Sequence, residues 1–147
     1  MWTDCLGNAL SLDDGSSVAA VDDFVEGFIA SEARAVNVLA AARLDASPLV
    51  QAYAAAVHMF AESGDAPGNA RPFLRRALDG AGRCTGREQR FIHAVAAWVE
   101  GDTRRAIELH AQQAREHRQP SAVGAHMQGR VGVQVPVHQL AQFDAQV

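Results

Sequence analysis

Six histidines are the first side chains in this 147-residue chain that could do chemistry. His58 and His93 fall on or beside apolar helical faces, and His110 falls inside an apolar stripe, so half-buried packing is expected of each. No His-Glu-x-x-His or other metal spacing occurs, and Glu108-x-His110 puts its side chains on different helical faces. Arg87, Glu88 and His93 are the one set that suggests acid–base work, a hydrolase or transferase type of site in a groove around Glu88 and His93. Glu88 has a simpler use, because Thr85-Gly86-Arg87-Glu88 carries the spacing of a capping box. Asp13-Asp14 and Asp22-Asp23 pair carboxylates near a helix start, where the macrodipole favours acids. Gly80-x-Gly82-x-x-x-Gly86 follows a helix and has the wrong spacing for a phosphate loop. No serine sits in a nucleophile elbow. No catalytic, cofactor-binding or metal-ligating residue is assigned.

Arginine clusters at Arg71-Arg75-Arg76, Arg83-Arg87-Arg90 and Arg104-Arg105. From Arg83 to Arg118 seven Arg accompany four Glu and one Asp. Few aromatics are interleaved, so this mixed surface suits salt bridges or an anionic peptide and not nucleic acid. The net charge of −4 adds no field that would attract nucleic acid or an anionic membrane. All 13 basic residues are Arg, and with 29 alanines this composition suggests a GC-rich bacterial genome. Hydrophobic residues at 48%, charged residues at 20% and a mean hydropathy of −0.08 describe a soluble, folded chain. Cys5 and Cys84 lack pairing or ligand spacing and are expected as free thiols. No signal peptide or bilayer-length apolar run is read, so the expected location is cytoplasmic.

The elements that must position these groups read as helices throughout residues 16–116. The first stripe is Val18, Val21, Val25, Phe28 and Ile29, and the second is Val36, Leu39, Ala40 and Leu44. The third, Leu49, Tyr53, Ala56, Val57 and Phe60, has the cleanest period. A fourth has Ala70, Leu74, Ala77 and Leu78; a fifth has Phe91, Ile92, Val95, Trp98 and Val99; a sixth has Ile107, His110, Ala111 and Ala114. Ser47 caps the third before Pro48, Asn69 caps the fourth after a loop at 63–68, and Asp102 caps the sixth after a turn at Gly101. Little aromatic content and much alanine suit closely packed small helices.

Ala35, Ala70 and Ala106 recur at intervals of 35 and 36 residues, near the 34-residue period of tetratricopeptide repeats. Asp4-Cys5-Leu6-Gly7-Asn8-Ala9-Leu10-Ser11, Asp45 to Pro48, Arg87-Glu88 with His93-Ala94, and Trp98-x-x-Gly101-Asp102-x-x-x-Ala106 carry a more specific likeness. On these residues the chain resembles bacterial members of the tetratricopeptide repeat protein 38 family, over about Asp4 to Glu116. The resemblance implies an α-solenoid and no known catalytic residues.

The expectation is an all-α, tetratricopeptide-like α-α superhelix of about three helical hairpins. Residues 1–15 form an extended segment across it, residues 16–116 the repeat domain, and residues 117–147 an irregular tail. Val131, Val133, Val135 and Val137 alternate in that tail around Pro136, and a truncation or frameshift near the sixth helix explains its change of character. The function expected is a scaffold that offers helix faces to a protein or peptide, with no cofactor, and self-associates through the exposed C-terminal end of the stack. The alternatives are the groove enzyme using Glu88 and His93, and a fragment of a longer solenoid.

Overall fold

A computed structural model describes residues 1–118, so the sequence reading of the tail from 119 onward lies outside the described residues. The described chain is mostly helical, with one small β-ribbon at its start. Strands β1 (Trp2–Thr3) and β2 (Ala9–Leu10) pair antiparallel, with Trp2 opposite Leu10. Six α-helices follow: α1 (Val18–Ala30), α2 (Val38–Ala41), α3 (Pro48–Phe60), α4 (Ala66–Gly80), α5 (Gly86–Val99) and α6 (Thr103–Arg118). Short connections fold them into successive pairs. The first pair is α1 against the 3-10 turn Ala33–Asn37 and α2, the second is α3 against α4, and the third is α5 against α6.

Small residues make the approach within a pair close. An added Cβ at Gly27 would lie 2.7 Å from the Ala35 backbone nitrogen, so the first pair meets where only glycine fits. In α3, Ala52, Ala54 and Ala55 are wholly buried, as is Ala70 of α4. Aromatics do the opposite job and bridge one pair to the next. Phe24 stacks on Tyr53 at 4.2 Å between ring centroids, and Tyr53 meets Phe91 edge-on at 5.0 Å. A parallel line joins Phe28 to Phe60 at 4.4 Å and Phe60 to Trp98 at 4.8 Å. This seam ties α1, α3 and α5 together. The α3 helix is the centre of the molecule, which is why its apolar residues surround the whole helix instead of one face.

Several expectations need correction. The second stripe does not form one long helix: Val36 is 51% and Leu44 93% exposed, while Val38 points inward. The wholly internal Gln51 ends that element by donating its amide to the Ala42 and Asp45 carbonyls at 2.7 and 2.6 Å. In α1 the inward line includes Phe24, whereas Ile29 faces solvent. Helix α4 starts at Ala66 with Pro67 in its first turn, so Asn69 caps nothing and Pro72 lies inside the helix. Helix α6 runs to Arg118, two residues past the expected end of the repeat domain.

Candidate functional site

Helix α5 begins as its sequence requires. Thr85 accepts from the Glu88 backbone N–H at 3.3 Å, and the Glu88 carboxylate accepts from the Thr85 N–H at 2.8 Å, closing the capping box. The carboxylate also accepts from the Thr85 hydroxyl at 2.9 Å. Glu88 is nevertheless more than a cap, for it is wholly buried beneath the N-terminal segment. There it accepts from the Ser11 N–H at 2.9 Å and from the Ser11 hydroxyl at 2.6 Å. Such charge-assisted bonds are the strong ones, and together they satisfy a buried carboxylate that would otherwise be costly.

The residues around Ser11 are held as individually. The Arg87 guanidinium donates to the Ala9 carbonyl at 3.1 Å. Leu10 enters the core at 4% exposure. The Asp13 N–H donates to the Ser47 hydroxyl at 2.7 Å, so Ser47 stands at the N-cap of α3 but does not cap it with its side chain. The Asp13 carboxylate receives both Arg83 guanidinium nitrogens at 2.9 and 3.2 Å. Further back, the buried Asp4 carboxylate accepts from the Leu6 and Asn8 N–H groups and shapes the turn at Gly7, whose φ is +81°. A strap of extended chain is thus gripped by side chains from the N-termini of α3 and α5.

The hydroxyl of Tyr53 and the thiol of Cys84 are both held in their protonated forms. Burial pushes the Tyr53 hydroxyl up to about 12, with the neighbouring Arg87 charge opposing. Burial, with Glu88 nearby, pushes the free Cys84 thiol up to about 11. Both therefore stay protonated near neutrality.

His93 lies elsewhere. It is exposed on α5, five residues after Glu88 and therefore on a different helical face. The structure does not bring Glu88 and His93 together, which corrects the expected groove around that pair. It also corrects the packed role expected of His93. His93 instead lines a shallow groove of about 560 Å³ with Leu78, Arg90, Glu100, Arg105 and Leu109, between α5 and α6. Arg90 crosses to Glu116 at 2.5 Å, leaving its buried Nε without a partner. His58 and His110 are half-buried: His58 stacks on Phe73 at 5.3 Å and His110 meets Phe91 at 6.0 Å. Among the described residues no group of three or more His, Cys, Asp or Glu is placed to hold a metal. No described helix is long and apolar enough to cross a membrane.

The sequence reading assigned Glu88 a cap and missed its grip on Ser11. The Ser47 hydroxyl, read as a cap of α3, takes the Asp13 N–H instead, and the amide contacts of Gln51 carried no assignment. Gln51 was the visible signal, being the one amide inside an otherwise apolar helix. Comparison of the chain with protein-family models, curated proteins and solved structures gave no match.

Proposed function

We propose that this chain is a tetratricopeptide-like interaction module, a short α-α superhelix that offers helix faces to a protein or peptide partner in a bacterial cytoplasm. The observation that carries the reading is the serial order of the packing. Three helix pairs follow one another, each resting on the next through an aromatic seam, as in a stack whose units cannot bury their faces alone. The spacing of Ala70 and Ala106, buried early in α4 and α6, supports the same reading. The likeness to the tetratricopeptide repeat protein 38 family belongs to it as well. In such a stack the α5–α6 groove is the face that a partner, a further hairpin or a second copy would cover, and its lining mixes Arg90 and Arg105 with Glu100 and Asp102 around Leu78 and Leu109.

Affinity capture with the full chain, beside an Arg90→Glu, Arg105→Glu variant of equal helicity, tests this. The expected result is one recurrent partner for the parent and at least about tenfold weaker capture by the variant. No specific partner for the parent, or equal capture by both, would overturn the groove as the docking face.

A further inference from the structure

We propose that the surface beneath the N-terminal strap is a receptor for extended peptide segments, and that the strap is its built-in, displaceable occupant. The inference rests on the interaction-module reading and names the chemistry of the partner: an apolar residue, then Ser or Thr, then any residue, then Asp.

Each of these positions has its own acceptor on the helices. Leu10 is the apolar anchor in the core formed with α1 and α3. Ser11 presents two donors, backbone and hydroxyl, and the Glu88 carboxylate takes both. Leu12, the free position, rests only at the edge of the core. Asp13 gives its N–H to Ser47 and its carboxylate to a two-nitrogen contact with Arg83. Arg87 takes the carbonyl of Ala9, just before the anchor. Backbone groups of an extended chain are thus read by helix side chains, which works for any segment of the same pattern, in cis or in trans.

The strap is built to leave. Residues 1–3 and 5–7 are exposed, and only Asp4 and Leu10 of the first ten residues are buried. Its contacts to the helical body are single-residue ones, at Cys5, Ala9, Ser11 and Asp13 with the apolar contacts of Leu10 and Leu12, so it opens at less cost than the helices do. When it opens, Glu88 keeps both Thr85 bonds and faces water, so the receptor survives with its cap intact.

The test uses the full chain and a synthetic peptide with the sequence of residues 7–14, Gly-Asn-Ala-Leu-Ser-Leu-Asp-Asp. Ser11→Ala weakens only the resident strap, and hydrogen exchange at the Ser47-bonded Asp13 amide should quicken about tenfold, the effect of one net hydrogen bond. The Ser11→Ala chain should then bind the labelled peptide about tenfold more tightly than the parent does, and a peptide with Ala in place of its Ser should bind at least about tenfold more weakly. An Asp13→Ala variant, which removes the strap's carboxylate contact and leaves Glu88, Ser47 and Arg83 in place, should repeat the gain. Unchanged exchange in both variants, no peptide binding up to about 1 mM, or equal binding of the two peptides would overturn the proposal. Failure here with partner capture intact at the α5–α6 groove would leave the module reading standing; peptide binding without any captured partner would do the reverse.

Discussion

Glu88→Ala is the sharpest perturbation of the arrangement, because the side chain is wholly buried and serves two parts of the chain at once. The substitution removes two bonds from Thr85 and two from Ser11. A hydrogen bond to a charged group contributes roughly 1.5–3 kcal/mol, but contacts that share one carboxylate are not additive. The Ser11 and Thr85 groups also regain water once the strap lifts. A net loss of about 3–5 kcal/mol is expected, of which the capping contribution is about 1 kcal/mol. For a chain of this length that lowers Tm by about 10 °C or more. Thermal melts of the parent, Glu88→Ala, Ser11→Ala and the double variant form a cycle. Coupling between the two positions should reach about 1.5–3 kcal/mol. A Glu88→Ala loss below about 1 kcal/mol, or coupling within about 0.5 kcal/mol of zero, would refute the claim that this carboxylate holds the strap.

Gly27→Ala should destabilise by about 1–3 kcal/mol, since its Cβ meets the Ala35 backbone; a variant more stable than the parent in urea would show that the first pair is looser than described. Burial lowers the pKa of His110 from 6.5, so the unfolded chain binds the proton more readily and stability must fall as pH drops below about 6.5. Urea midpoints between pH 7.5 and 5 should show that slope in the parent and a flatter one in His110→Gln. Cys5 is exposed, yet partial burial and its acidic neighbours Asp22, Glu26 and Asp4 raise its thiol to about 11. Its alkylation by iodoacetamide at pH 8 should therefore run about 100-fold slower than that of a cysteine at its ordinary value, and an equal rate would contradict the acidic surroundings.

The helical class, four of the six helices and the capping box at Thr85 were legible because they are local. Period, caps and breakers are written within a dozen residues of one another. The second helix was misread because Val36, Leu39 and Leu44 keep a helical spacing while the deciding contact, the amide of Gln51, comes from the next helix. The start of α4 was misread because Gly64 and Gly68 look like loop residues, whereas Pro67 is well placed in a first turn. The grip on the strap was not legible at all, since Ser11 and Glu88 stand 77 residues apart and each has an ordinary local explanation.

The distance between Ser11 and Glu88 along the chain also sets an order of events during synthesis. Each helix pair closes between near neighbours and can form as it emerges. The strap is made before the helices, but Ser11 has no acceptor until Glu88 follows, about 4–15 s later at ordinary elongation rates of about 5–20 residues per second. Through that interval Leu10, which the finished core buries, is held less firmly. The strap is therefore made before α1 but fully gripped only once α5 has begun. A nascent chain stalled before residue 88 would carry the strap open, available to whatever meets it at the tunnel exit.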